Sequence, residues 1–233
     1  MQSVKGVALP LSSLYVKLRH KFGFLDWWPG DTKLEIVVGA ILTQNTSWKN
    51  VEKAIANLKK ERMLSMEKLA GSSIRSIEEA IKPSGFYRQK AKRLQNIIQH
   101  ISSNYKSLDN FFDKNVEELR KELLSLNGIG NETADSIILY AAGKPTFVID
   151  AYTKRIMNRV YGIDKDIKYE ELKALFEANI KKNTVLFKDF HAQFVELGKN
   201  FCKSKPDCSE CPVSGYCLYC KRHSANVERY KKY

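Results

Sequence analysis

Residues 116–142, VEELRKELLSLNGIGNETADSIILYAA, constrain the fold of this chain more than any other stretch. Asn115 is placed to cap a helix over 116–125, the loop 126–130 turns the chain, and a second helix is expected from about Asn131 to Ala142. Gly128 and Gly130 open backbone conformations closed to other residues, and they let the loop N–H groups approach an anion at the start of the second helix. A lone G-x-G is more often a plain connector between packed helices. No Gly-Lys-Ser/Thr accompanies it, which excludes a nucleotide P-loop.

Charge points to the kind of anion. Lys and Arg number 39 against 26 Asp and Glu, a net charge of +13, so a polyanionic partner is expected, with nucleic acid foremost. With 43% hydrophobic residues in 233, the chain can bury a substantial core as one large domain or two small ones. No apolar run reaches membrane-spanning length, and the N-terminal stretch lacks the pattern of a signal peptide. The cytoplasm, in association with the nucleoid, is therefore the expected location.

Elsewhere the sequence alternates helical patterns with short polar or Gly/Pro breaks, and the expected class is all-α. The segment LEIVVGAILT, 34–43, is apolar on all sides and reads as a buried central helix, whereas 49–60 and 88–102 are amphipathic. A short β-rich TFVI follows Pro145, and Asp150 stands where an N-cap would sit ahead of AYTKRIMNRVYG. Two further helices are expected at about 168–181 and 186–200, and 223–233 reads as a charged tail.

All five cysteines lie between Cys202 and Cys220, unlike a disulfide framework spread through a secreted fold. Cys202, Cys208, Cys211 and Cys217 form C-x5-C-x2-C-x5-C, four thiolates able to close around a metal centre, with Cys220 as a spare that could replace Cys217. Spacing alone leaves zinc and a [4Fe–4S] cluster near equal.

LLSLNGIGNETADSIILYA followed by PTFVIDAYTKRIMNR resembles the helix-hairpin-helix and catalytic-aspartate segment of the endonuclease III-like DNA glycosylase superfamily. TQNTSWKNVEKA resembles that family's helix and lesion-recognition loop, and the C-terminal cysteines its iron–sulfur loop, although the first gap here has five residues where the family usually places six. The resemblance implies a two-lobed helix-hairpin-helix fold, with one lobe over 30–144 and a second combining 1–29 with 145–222, the lesion cleft lying between them. It favours [4Fe–4S] over zinc. It also implies a partner, double-stranded DNA containing a damaged base, and a monomer.

In that family the aspartate matching Asp150 takes part in breaking the N-glycosidic bond, a role that suits a carboxylate beside an oxocarbenium-like sugar. The plain alternative is a helix N-cap. Bifunctional members carry a lysine eighteen residues earlier, whose amine forms a Schiff base; here that place holds Glu132, which cannot form an imine. A monofunctional glycosylase is implied, with Lys154 the rival amine. DNA contacts are expected from Asn127, Gly128, Gly130, Thr133 and Lys154, and Gln44 matches the family residue that fills the gap left by a flipped nucleotide. A helix C-cap is the bland reading of Gln44.

Trp27, Trp28 and Trp48 are the candidate base pocket, with Tyr152, Glu132 and, more weakly, Lys199 facing it. The WWPG stretch with TQNT resembles the 3-methyladenine DNA glycosylase III group, which acts on alkylated purines. A methylated purine is cationic, so it gains on the order of 1–2 kcal/mol over an indole face when desolvated, and it is already an activated leaving group. The rival readings are removal of oxidised pyrimidines or mismatched bases by an endonuclease III-like enzyme, and a non-catalytic DNA-binding module.

Overall fold

The computed structural model describes residues 9–25, 28 and 30–223. Among them helices and turns account for all regular structure, and no helix is long and apolar enough to cross a membrane. The chain divides into two compact units, 28–146 and, among the described residues, 9–25 with 147–223.

The first unit is built around α2 (Lys33–Leu42), in which Leu34, Val37, Val38, Ala40, Ile41 and Leu42 are all buried. A helix apolar all round must be enclosed on every side. Its wrapping is α3 (Trp48–Lys60), α4 (Met66–Gly71), α5 (Ile74–Ile81), α6 (Tyr87–Tyr105), α7 (Leu108–Phe112), α8 (Val116–Ser125) and α9 (Asn131–Ser136), which share one core cluster with it. Hydroxyl or amide caps start most of these helices: Thr32, Ser65, Ser73, Ser107 and Asn115 each accept the N–H three residues on.

The second hairpin helix is not regular to its end. After Ser136 it widens into a π turn, Ile137–Ala141, with the Ala142 N–H reaching Ile137 O at 3.0 Å. All five residues of that turn are buried, and such insertions are frequent at functional positions.

In the second unit, α1 (Leu11–Phe22), α10 (Ala151–Tyr161), α11 (Tyr169–Asn179) and α12 (Thr184–Asn200) enclose a phenylalanine core. Phe147 stacks on Phe176 with centroids 4.1 Å apart, and Phe187 and Phe190 meet Phe147 edge-on. Asp189, fully buried on α12, ties this unit together by accepting from the Tyr15 hydroxyl at 2.5 Å and the Leu25 N–H at 2.9 Å.

TFVI does not form the strand its composition suggests. It has no regular structure and no strand partner among the described residues, because side chains take its backbone bonds: the Phe147 N–H donates to Glu177 Oε1 and the Ile149 N–H to the Tyr169 hydroxyl. Helix side chains thus do what a neighbouring strand would otherwise do.

Glu122 on α8 joins α6 to the segment before α8. Its carboxylate accepts from the Tyr105 hydroxyl at 2.6 Å, from His100 at 2.7 Å and from Lys114. Burial opposes its ionisation, but the three partners outweigh burial and hold the carboxyl at about 2. A depressed folded pKa contributes stability that is complete above the ordinary glutamate range and is lost as pH falls toward 2. Glu122→Gln is therefore expected to lower stability at neutral pH by on the order of 2 kcal/mol and to flatten the acid limb between about pH 4.5 and 2, as read by urea denaturation across pH.

Candidate active site

The hairpin loop turns on one glycine. Gly128 has φ +86°, the left-handed region, and a Cβ there would lie 2.4 Å from Arg93 Cγ, since the Arg93 side chain rests flat on the loop backbone. Gly130 differs from its sequence reading: its φ of −94° is open to any residue, and nothing lies within 4 Å of its would-be Cβ. Ile129 anchors the loop by entering the core, and the N-cap of α9, Gly130, has no side chain to cap the helix. Asn127 is exposed and shares a polar groove with Gln89, Lys92, Arg93, Asn96 and Gln99 on α6, a helix without a single acidic residue.

Gln44 belongs to this hairpin assembly. Its Nε2 donates to Gly128 O at 3.1 Å and Thr133 Oγ1 at 2.9 Å, while its Oε1 accepts from Arg93. The α2 C-cap is Thr43, so Gln44 does not serve as that cap. Thr133 is buried, and its hydroxyl faces Gln44. Arg93 was missed in the sequence because only the folded chain brings α6 beside residues 44 and 128.

Of the aromatic candidates, Trp27 lies outside the described residues. Trp28 and Trp48 meet edge to face, centroids 5.7 Å apart at 70°, and Trp28 lies against Tyr140 at 4.5 Å and 32°. Gly39 gives this nest room: a Cβ there would sit 3.3 Å from the Trp48 ring, a tight contact. The tilt leaves no parallel slot between the two indoles, so any stacking surface is an outer face of the nest. Tyr140, from the π turn, is its unforeseen third member.

Glu132 is exposed in the first turn of α9. In the other unit, Asp150 caps α10, as its position suggests. Its Oδ1 accepts from the Thr153 N–H at 2.6 Å and the Thr153 hydroxyl at 2.7 Å, and Oδ2 lies 3.7 Å from His191 Nε2. The side chain is only 12% exposed. Burial pushes the Asp150 carboxyl up, but the His191 imidazole and the Thr153 donors outweigh it and hold the group below the usual aspartate range. The carboxylate is thus ionised at neutral pH and fixed, as a base or a charge stabiliser requires.

The remaining candidates are spread along α10 and α12. Lys154 Nζ donates to Ile167 O at 3.1 Å. Tyr152 lies on the backbone of Gly198, where a Cβ would come within 2.2 Å of its ring, and Lys199 pairs with Glu196 at 3.6 Å.

None of the five cysteines is in a disulfide, and all line one cavity with Arg159, Val160, Leu197, Phe201 and Val213. Burial pushes the Cys211 thiol up to about 11 and raises Cys208 and Cys217 as well. Among the described residues no three Cys, His, Asp or Glu side chains are arranged to hold a metal ion as they stand. Two arginines one turn apart on α10 bind the loop: Arg155 donates to Cys202 O at 2.7 Å, and Arg159 to Cys202 Sγ at 3.3 Å and Ser204 O at 3.0 Å.

Comparison with known proteins gives consistent matches. The pattern of the HhH-GPD superfamily of base excision DNA repair proteins matches residues 38–182. A protein of Methanocaldococcus jannaschii, provisionally described as a DNA repair glycosylase, is 48% identical over 88% of this chain and 94% of its own length. The crystal structure of H. pylori 3-methyladenine DNA glycosylase bound to 1,N6-ethenoadenine is 32% identical, with a TM-score of 0.71 over 82% of this chain and 98% of that one. An endonuclease III–DNA complex, at 20% identity, shares the fold with a TM-score of 0.79 over 92% of this chain and 97% of that one.

The two hairpin glycines should respond differently to alanine. Gly128→Ala combines a positive φ with a collision against Arg93 and is expected to cost about 1–3 kcal/mol. Gly130→Ala, in open extended backbone, should stay within about 0.5 kcal/mol of the parent. Urea denaturation of the two variants checks both.

Proposed function

The chain belongs to the HhH-GPD superfamily of base excision DNA repair proteins and is a DNA glycosylase, and we propose that it is a monofunctional one, hydrolysing alkylated purines such as 3-methyladenine from duplex DNA. The observation that carries this is a largely enclosed, ionised Asp150 whose Oδ1 accepts twice from Thr153, in a sequence that has a carboxylate, Glu132, at the position where a Schiff-base lysine would be needed.

In this reading the C1′–N bond of the extruded nucleotide breaks with its electron pair leaving on the base. A methylated purine carries a positive charge, so it departs neutral without protonation by an acid. Asp150 stabilises the positive sugar, and its carboxylate accepts a proton from the water whose oxygen bonds to C1′. An intact strand with an abasic site remains. Lys154 is a poor substitute nucleophile, since its amine is engaged with the Ile167 carbonyl.

The partly exposed rings of Trp28 and Trp48, backed by the buried Tyr140, would stack on the cationic base, an interaction worth on the order of 1–2 kcal/mol when desolvated. The resemblance of 82% of the chain to a 3-methyladenine glycosylase favours the same substrate class. Gly128 and Asn127, with Lys92 and Arg93 of the adjoining groove, supply N–H and cationic groups for the DNA backbone.

Cys202, Cys208, Cys211 and Cys217 would hold a [4Fe–4S] cluster, with zinc the less favoured occupant of the same thiolates. Five cysteines outside any disulfide around one cavity, in a loop tethered by Arg155 and Arg159, suit that donor set. When bound, the cluster braces the loop. Because the thiols are raised, loading must release protons and should weaken as pH falls. A broad visible absorption that is lost in Cys211→Ser is expected; stoichiometric zinc without iron would assign the site to zinc.

The deciding assay incubates duplexes carrying 3-methyladenine, 7-methylguanine, thymine glycol or a T·G mismatch and measures free base and strand scission separately, with borohydride present. Release of methylated purine, intact strands and no trapped protein are expected, with release falling at least about 100-fold in Asp150→Asn. Release confined to thymine glycol or the mismatch, or a borohydride-trapped complex, would overturn the proposed specificity or the monofunctional reading respectively.

A further inference from the structure

Asp150 is anchored from its own helix on one edge only. Thr153 supplies both donors to Oδ1, three residues along α10, which leaves Oδ2 and the torsion of the carboxylate plane to be settled by something else. Terminal carboxylate torsions are broad and shallow, so a single anchored oxygen does not define the plane. The group at the other edge comes from a different element. His191, 3% exposed on α12, sets its Nε2 3.7 Å from Asp150 Oδ2, and α12 packs directly on α10.

The surroundings make this imidazole conspicuous. Its helix neighbours Phe187, Phe190 and Phe194 are fully buried members of the phenylalanine core, where a polar ring is costly unless its polar atoms meet partners. Its Nε2 faces the candidate catalytic carboxylate at 3.7 Å. At 3.7 Å the contact is electrostatic, and catalytic hydrogen bonds are often this long in the free protein and shorten in the reacting complex.

We propose that His191 is the positioning residue for Asp150, holding the Oδ2 edge of the carboxylate as Thr153 holds Oδ1, so that the oxygen facing the sugar and water keeps one direction. It touches neither substrate nor water and acts only through Asp150. This rests on Asp150 being the catalytic carboxylate. Its sequence signal was nil: a single histidine in an apolar helix forty-one residues from its partner (191 − 150 = 41) reads as core.

The test uses the full-length protein and single-turnover release of 3-methyladenine. His191→Met, similar in volume but without a donor, should slow release about 30-fold with DNA affinity unchanged. His191→Gln, which returns a donor at similar reach, should stay within about fivefold of the parent. Asp150→Asn/His191→Met should be no slower than Asp150→Asn alone, because a residue acting only through the carboxylate has nothing left to act on. Equal losses in the Met and Gln variants, an additive double variant, or a loss confined to DNA affinity would overturn the assignment.

A measurement independent of any His191 substitution completes it: the imidazole nitrogen resonances of His191 should move in Asp150→Asn, and unchanged resonances would also overturn it. Failure of the underlying reading looks different. Undiminished base release in Asp150→Asn removes the catalytic role of Asp150, whereas full activity in His191→Met with a dead Asp150→Asn removes only the inference.

Discussion

The enclosure of α2 governs the first unit. A ten-residue helix with apolar side chains on every face cannot be exposed, and burying it also buries its C-terminal carbonyls, which have no partner within the helix. Lys90, 1% exposed, answers this need: its Nζ donates to Leu42 O at 2.9 Å and to Ser84 O at 2.7 Å. Burial, with the Arg93 charge adding, pushes its amine down to about 8, a cost accepted to close the helix end. Two residues beyond Leu42 stands Gln44, so fixing the end of α2 also fixes the place from which Gln44 meets the hairpin.

Three groups from distant parts of the chain then converge. Arg93 lies one helical turn after Lys90 on α6, rests on Gly128 and holds the Gln44 carbonyl. The Gln44 amide in turn binds the loop carbonyl and Thr133. The positive φ of Gly128 serves two ends at once, turning the chain and clearing room for an arginine, which is why the neighbouring Gly130 is so much less constrained. The same economy appears at Asp150, whose cap of α10 also presents an oriented carboxylate.

Much of this was legible in the chain. Helical periodicity marked the buried α2 and the amphipathic helices, the Asn115 and Asp150 caps followed from local spacing, and the Gly-rich turn with Asp150 carried the resemblance to the DNA glycosylases. The misreadings have local causes. TFVI has strand composition, but Glu177 and Tyr169 satisfy its backbone. The hairpin helix has unbroken helical composition, but packing widens its end to a π turn that delivers Tyr140 to the tryptophans.

Sequence by itself determined the helical class, the hairpin, the capping aspartate and the cysteine spacing, because each depends on residues within a turn or two of one another. Only the tertiary structure decided which groups stand at those sites from afar: Arg93 on Gly128, Tyr140 on Trp28, His191 beside Asp150, and Arg155 and Arg159 on the cysteine loop. These pairings depend on how helices pack, and packing is set by the shape and volume of whole buried faces rather than by any short pattern along the chain.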